Sequence, residues 1–158
     1  MKPFVQQYQK LPAEKGNYLL FFHFPEKQNL EIGALGSQTL CKGKYLYAGS
    51  ALGLGGIRAR VKHHFTSNAK PHWHMDYLRP HLCWIAAAWK ITPERLECRW
   101  IERLLGNHAE IPVHGFGASD CRSRCPAHLV RITHSPQAVL KMLAEDGDLG
   151  IMYNKANF

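Results

Sequence analysis

The sequence lacks any long apolar segment. No apolar stretch in its 158 residues approaches the roughly 18 residues that a membrane-spanning helix needs. The first nine residues also lack the apolar core of a secretory signal. We therefore expect a cytoplasmic protein that has no membrane partner.

Internal repeats, low-complexity tracts and Ser/Gly-rich linkers are also missing from the sequence. Hydrophobic residues make up 46% of the chain and charged residues 20%, which excludes disordered and collagen-like classes. A chain near 150 residues can bury roughly 70% of its extended surface in one core. We predict a single domain over residues 1–158, in which residues 1–15 are an N-terminal extension and residues 107–158 a C-terminal addition.

Acidic side chains are scarce and unevenly placed. The chain has 12 acidic against 20 basic residues, and the segment Cys41–Leu82 holds a single acid, Asp76, among seven basic residues and five histidines. Such a segment indicates a phosphate-bearing partner, most commonly nucleic acid; a solvated basic face is the alternative. The predicted nucleic-acid contacts are Lys44, Arg58, Lys62, His63, Lys70, His72, Trp73 and His74. Among these, Trp73 could stack on a base.

The spacing of apolar residues predicts an α+β fold. Strands are expected at Gly16–Phe24, Leu30–Leu35, Lys44–Gly49 and Cys83–Ile91, although the alanine run of the last segment keeps a helix open there. Helices are expected at Ile57–Phe65, around Asp76–Leu78, from near Glu94 to Gly106, and after Ser135-Pro136. Together these elements predict a small, largely antiparallel mixed sheet of about three core strands plus an inserted hairpin, flanked by helices.

One glutamate of the helix expected after Pro93 points into its apolar face. At about 100° per residue, Glu97 lies within about 60° of Trp100, Ile101 and Leu104. An ionised carboxylate in that position costs several kcal/mol unless it meets a cation. Two explanations stay open: an ion pair with Arg60 or another arginine, and a ligand for a divalent metal such as Mg²⁺.

Several motifs then resemble a known group of enzymes. Gly16-Asn17-Tyr18 and Tyr47-Ala48-Gly49 resemble the two halves of the GIY-YIG nuclease signature. The segments Ile57–Phe65 and Glu97–Ile101 are similar to the arginine-bearing helix and the acidic helix of that superfamily. Three further stretches resemble its branch known as domain of unknown function 123, which occurs alone and fused to DNA-repair glycosylases: Gly49–Gly53, His72–Leu78 and Gly115–Cys121.

The resemblance implies a metal-dependent DNA endonuclease that acts in repair or in processing of structured DNA. Tyr18 would be the general base or would orient the attacking water, and Tyr47 would be the second phenol of the site. Arg60 would neutralise the scissile phosphate, and His64 would assist proton transfer or phosphate binding. Glu97 would bind Mg²⁺ or Mn²⁺. Twenty-eight residues separate the two tyrosines, more than the superfamily usually has, so Leu30–Gly43 is expected to form an inserted hairpin or loop.

Two other functions stay open. The chain could be a non-catalytic nucleic-acid-binding module with the same fold, and its partner could be RNA instead of DNA. A third hypothesis is a small-molecule or protein-interaction domain whose site is the cysteine loop, the segment that carries Cys121 and Cys125. Loss of cleavage without loss of fold in Glu97→Gln or Arg60→Ala distinguishes the enzyme from the binding module. Failure to bind any DNA or RNA at low salt, with zinc retained through Cys121 and Cys125, would favour the third hypothesis.

The five cysteines are odd in number, and without an export signal they are expected to be reduced. Cys121 and Cys125, with His128 and with or without His114, could form a zinc site. Their CxxxC spacing differs from that of the usual zinc knuckle. Ordinary thiols are therefore the favoured interpretation and zinc the alternative.

Overall fold

A five-stranded antiparallel sheet forms the centre of the computed structural model, which describes residues 3–119, 121–144 and 147–157. Its strands stand in the order β6-β4-β1-β5-β7. Their bounds are β1 (Gly16–Phe24), β4 (Gly43–Ala51), β5 (Cys83–Ile91), β6 (Leu129–Ile132) and β7 (Gly150–Tyr153). A separate hairpin is formed by β2 (Gln28–Glu31) and β3 (Ser37–Leu40). The α+β class and the antiparallel sheet predicted from the sequence are confirmed.

Helices cover both faces of the sheet. Their bounds are α1 (Gly56–Thr66), α2 (His74–Leu78), α3 (Glu97–Leu105) and α4 (Pro136–Met142). Apolar residues of α1 and α2 pack with Tyr18, Leu20 and Phe22 of β1, whereas those of α3 and α4 pack with Leu19 and Phe21. Because β1 is buried on both faces, its sequence is a continuous apolar run instead of an alternating one.

The sheet is wider than the expected three core strands. β6 pairs with β4 and β7 pairs with β5, so that each extends one edge. Both strands have four residues, which is too short for a two-residue periodicity to stand out in the sequence. The inserted hairpin is present as β2 and β3. The strand expected over Leu30–Leu35 is wrong, however, because β2 ends at Glu31 and a 3₁₀ turn, Gly33–Leu35, follows.

The start of the helix expected near Glu94 also needs correction. The helix begins at Glu97, and the Thr92-Pro93-Glu94 segment forms a turn in which Thr92 Oγ1 accepts a hydrogen bond from the Glu94 amide at 3.2 Å. The C-terminal helix begins as predicted, since Ser135 caps α4 by accepting a hydrogen bond from the Ala138 amide.

Some predicted features lie outside the described residues. They include Asp120 of the Gly115–Cys121 stretch and residues 1, 2, 145, 146 and 158 of the predicted domain. Of the predicted N-terminal extension, Phe4–Lys10 forms a 3₁₀ helix that packs against α1. Over the part of the chain that the structure describes, no helix combines the length and apolar character needed to cross a membrane.

Candidate functional site

Two tyrosines from adjacent strands lie side by side on the α1 face of the sheet. Tyr18 of β1 stands opposite Gly49 of β4, and a Cβ atom added at Gly49 would overlap the Tyr18 ring. The absence of a side chain at Gly49 therefore lets the Tyr18 ring lie across β4. Its ring centroid is 6.4 Å from that of Tyr47. The structure thus brings together the two tyrosines predicted from separate motifs.

His64 of α1 completes an aromatic cluster with these tyrosines. Its ring centroid lies 5.5 Å from that of Tyr18 and 5.6 Å from that of Tyr47. The Tyr18 hydroxyl and His64 Nε2 are 2.7 Å apart, a short hydrogen bond between two buried groups. The four-residue spacing of Ile57, Val61 and Phe65 buries one side of α1 as predicted, and His64 is buried with them.

The environment fixes the direction of this hydrogen bond. Burial is the main cause that raises the pKa of Tyr18 well above its usual value, while the nearby Arg60 only partly opposes it. Burial and the neighbouring His63 lower the pKa of His64 to about 3, and Asp76 partly opposes that shift. Both groups are therefore neutral near pH 7, so the Tyr18 phenol donates and His64 Nε2 accepts. His64 Nδ1 is buried and has no hydrogen-bond partner among the described residues.

Arg60 lies one turn before His64 on α1 and borders an open cavity. Its guanidinium carbon is 4.4 Å from the centroid of the Trp73 ring. The cavity has a volume of about 300 Å³, and its lining includes Arg60, His63 and Trp73 together with Gly53 of the loop before α1 and Gly56, the first residue of α1. A cation that rests on an aromatic ring at the edge of a cavity is well placed to meet an anionic ligand.

Glu97 is buried at the first position of α3, as its predicted orientation required. It is 6% exposed, yet its Oε2 atom has no hydrogen-bond partner within the described part of the chain. Its Oε1 atom lies 3.8 Å from Arg95, a side chain that is 68% exposed and that hydrogen-bonds Ser50 at 2.8 Å. The predicted ion pair with an arginine is thus present, but it is a long contact with the exposed Arg95 and not with Arg60, and it stabilises a buried carboxylate weakly.

The charges on Glu97 and Arg60 both affect the pKa of Tyr18. Tyr47, Arg60 and Glu97 each shift the pKa of Tyr18, so all three side chains lie within electrostatic reach of its hydroxyl. The structure thus brings Tyr18, Tyr47 and His64 into contact, with Arg60 one turn away on α1 and Glu97 on α3 close enough for its charge to act on Tyr18. A buried carboxylate oxygen without a partner is the kind of donor that Mg²⁺ or Mn²⁺ accepts, so the residues present fit a divalent ion.

Asn17, the residue before Tyr18, binds the turn that precedes Glu97. Sequence reasoning did not anticipate this role. The Asn17 side chain is fully buried, donates to the Glu94 carbonyl at 2.7 Å and accepts from the Leu96 amide at 3.0 Å. These bonds hold the turn immediately before α3 against β1. The available signal was an amide side chain within an otherwise apolar strand, which indicates a specific polar partner.

The family model described as Domain of unknown function DUF123 matches residues 17–147. The chain belongs to the DUF123 family. No curated protein and no solved structure matches it. The DUF123 match includes Tyr18, Tyr47, Arg60, His64 and Glu97.

Asp76, within the DUF123 match, organises the loop that carries Trp73. One carboxylate oxygen accepts the backbone N–H groups of His72 and Trp73, each at 2.9 Å, and the other lies 3.1 Å from both His63 and Arg79. Burial alone would raise the pKa of Asp76, but these hydrogen bonds and charges hold it below its usual value. The single acid of the basic segment therefore has a structural role beside the cavity, which its sequence context did not reveal.

The remaining predicted nucleic-acid contacts are spread around the site. Arg58 donates to the Leu11 carbonyl at 2.8 Å, Lys62 lies over the Tyr8 ring, and His74 Nδ1 accepts the Gly117 amide at 2.7 Å. Lys70 and His72 are exposed, and Lys44 is half-buried on β4. Because Arg58 and His74 already bind backbone groups, Lys70, His72 and the Arg60–Trp73 pair are more available to a ligand.

The cysteine loop of the DUF123 match folds back onto α3. The Sγ atoms of Cys98, Cys121 and Cys125 and a ring nitrogen of His128 all lie within 4.8 Å of one another. Sequence reasoning identified Cys121, Cys125 and His128 as the alternative zinc residues and missed Cys98. His114, considered with them, is exposed and is not part of this group.

Proposed function

We propose that the chain is a metal-dependent endonuclease of GIY-YIG type, which hydrolyses phosphodiester bonds in DNA during repair or during processing of structured DNA. The observation that supports this most directly is the contact of two phenols and an imidazole, with a guanidinium one turn away and a buried carboxylate within electrostatic reach. Such a set could position an attacking water, accept its proton and place positive charge at the phosphate, as phosphodiester hydrolysis requires.

Glu97 would hold Mg²⁺ or Mn²⁺ through Oε2, which lacks a hydrogen-bond partner in the described structure. When bound, the ion would supply charge stabilisation for the phosphate and for the leaving 3′ oxygen. Asn17, the residue before Tyr18 on β1, fixes the turn that leads into Glu97. Burial of Glu97 keeps competing water away from the carboxylate and so strengthens its attraction for a cation.

Tyr18 and His64 would move the proton of the attacking water. The water donates a proton to the Tyr18 oxygen while the phenol proton passes along the existing hydrogen bond to His64 Nε2. The resulting hydroxide attacks phosphorus, the P–O3′ bond breaks, and the proton held by His64 returns through Tyr18 to the leaving 3′ oxygen. A phosphodiester bound nearby would favour this transfer, because a neighbouring anion raises the pKa of histidine.

Arg60 would bind the scissile phosphate at the edge of the cavity. Its stacking on Trp73 keeps the guanidinium at the cavity wall. No element reads base edges in this hypothesis, so binding would depend mainly on phosphate contacts and would weaken steeply with added salt.

Cleavage assays on nucleic acids of different structure test this function. The chain is incubated with Mg²⁺ or Mn²⁺ and labelled single-stranded, duplex, branched and abasic DNA, with RNA of matched sequence alongside. Glu97→Gln and Arg60→Ala should each lower cleavage by about 10²-fold or more. Glu102→Gln changes an exposed glutamate of the same helix and should leave cleavage unchanged. Cleavage that survives Glu97→Gln, or that is absent with every substrate, contradicts the proposal.

The burial of Tyr18 favours one other candidate. Tyr18 is only 2% exposed, and its pKa is raised well above the usual value, as expected for a tyrosine that is part of the hydrophobic core. A non-catalytic DNA- or RNA-binding module would keep the basic segment and bind with the same salt dependence. Binding by the wild type without cleavage in any metal ion would select this candidate, whereas absence of binding at low salt would exclude both.

A further inference from the structure

A cluster of metal-ligand side chains lies outside the proposed catalytic site. Cys98 Sγ is 2.8 Å from Cys125 Sγ and 3.2 Å from Cys121 Sγ, and those two sulfur atoms are 3.4 Å apart. His128 Nε2 is 3.5 Å from Cys98 Sγ. Cys98 lies on α3, Cys121 and Cys125 lie in the loop that follows it, and His128 directly precedes β6. Three thiols and one imidazole thus point at one small volume.

We propose that Cys98, Cys121, Cys125 and His128 bind a structural zinc ion. Zinc takes thiolate sulfur at about 2.3 Å and imidazole nitrogen at about 2.0–2.1 Å in tetrahedral sites. Ligand atoms around such an ion are separated by roughly 3.3–3.8 Å, and the cluster needs only small side-chain adjustments to reach those distances. Soft thiolate ligands select zinc over Mg²⁺, which requires oxygen donors.

The ligand set indicates a structural site instead of a catalytic one. Four protein ligands fill a tetrahedral zinc site and leave no position for water or substrate. The alternative use of these thiols is a disulfide between Cys98 and Cys125, which would leave Cys121 and His128 unused. The metal site accounts for all four residues.

The ion would stabilise the long segment between α3 and β6. Among its described residues, 106–119 and 121–128, no helix or strand is formed. Even so, Val113, Phe116 and Ala127 of this segment are buried in the core. Irregular segments of this length are uncommon in small domains unless something fixes them. Zinc would fix this one by tying Cys121, Cys125 and His128 to α3.

The same ion would connect the segment to α3, which carries Glu97, and to β4, which carries Tyr47 of the proposed active site. Cys98 directly follows Glu97 on α3. His128 accepts the Ala48 amide through its carbonyl at 2.9 Å, next to Tyr47, and its own amide donates to the Phe116 carbonyl at 2.7 Å. Gly117, at φ 71°, lies against the Tyr47 ring. The zinc site itself does not depend on the proposed nuclease activity, because metal content and stability report on it directly.

Metal analysis of the purified, tag-free chain in reducing buffer tests the proposal. We expect one zinc ion per wild-type chain and loss of the ion in Cys98→Ser and Cys125→Ser. The exposed Cys41 and Cys83 provide matched controls, since Cys41→Ser and Cys83→Ser should retain full zinc. Zinc that is absent from the wild type, or that persists in Cys98→Ser, overturns the proposal.

Cobalt substitution and thiol titration cover the case in which the cysteine variants fail to fold. The wild type refolded with Co²⁺ should show strong visible d–d bands and thiolate-to-cobalt charge-transfer bands, as tetrahedral thiolate sites do. Blocking its thiols with a mercurial should release one zinc ion per chain. A weak octahedral cobalt spectrum, or a Cys98–Cys125 disulfide in place of metal under these reducing conditions, overturns the proposal.

Discussion

The neutral, buried state of His64 predicts a specific loss of stability in mild acid. The folded chain holds the pKa of His64 at about 3, whereas an unfolded chain would have the ordinary value of 6.5. Below pH 6.5 the unfolded state therefore gains a proton that the folded state does not take up. The folded state becomes less stable as pH falls from the unfolded value towards the folded one.

The size of the effect follows from the two values. Each pKa unit corresponds to about 1.36 kcal/mol, so lowering the pH from about 7.5 to about 5 should cost about 2 kcal/mol at this residue. The charged groups that act on His64 are His63, Asp76, Arg60 and Arg79. Of these, Asp76 opposes the shift, and its own lowered pKa keeps it ionised throughout that range.

Urea unfolding followed by tryptophan fluorescence measures the difference. Between these two pH values, the wild type should lose about 2 kcal/mol more stability than His64→Gln, which keeps a side chain able to accept the Tyr18 hydroxyl. His81→Gln, at an exposed histidine, should follow the wild type. Equal losses in wild type and His64→Gln, or a wild type that gains stability relative to the variant in acid, would refute the neutral phenol–imidazole pair.

Three further substitutions test how the site is assembled. Asn17→Ala removes both bonds to the turn before α3 and leaves the buried Leu96 amide unpaired. It should therefore lower the free energy of unfolding by about 1–3 kcal/mol in urea and lower cleavage by the proposed nuclease. An unchanged urea midpoint would contradict this role. Gly49→Ala forces a Cβ atom into the Tyr18 ring and should cost about 1–3 kcal/mol, whereas Gly53→Ala, which meets no atom, should be close to neutral. Asp76→Asn should destabilise by about 1–3 kcal/mol and accelerate hydrogen exchange at the His72 and Trp73 amides, and unaltered exchange there would exclude it as the organiser of the loop.

Periodicity in the sequence was enough to predict much of the fold and part of the site. The four-residue spacing in α1 predicted which residues it buries, and the angular position of Glu97 predicted a carboxylate inside the core. Both depend on local geometry, which the sequence carries directly. The width of the sheet was missed because β6 and β7 are too short to show a period.

Long-range polar contacts account for the features that sequence reasoning did not find. The start of α3 depends on Asn17, which lies 77 residues before the Glu94 carbonyl that it binds. Cys98 lies 23 residues before Cys121, far outside the CxxxC pair that drew attention to the loop. Neither partner can be identified from local spacing, because the fold alone brings these residues together.

The most direct test of the central claim is where a divalent ion binds. Crystals of the chain soaked with Mn²⁺ and a short DNA strand, with anomalous diffraction recorded from manganese, locate the ion without reference to activity. We predict an anomalous peak next to Glu97 Oε2 and no such peak in Glu97→Gln. Manganese bound elsewhere, with Glu97 still directed only at Arg95, would contradict a metal-dependent site built on this carboxylate.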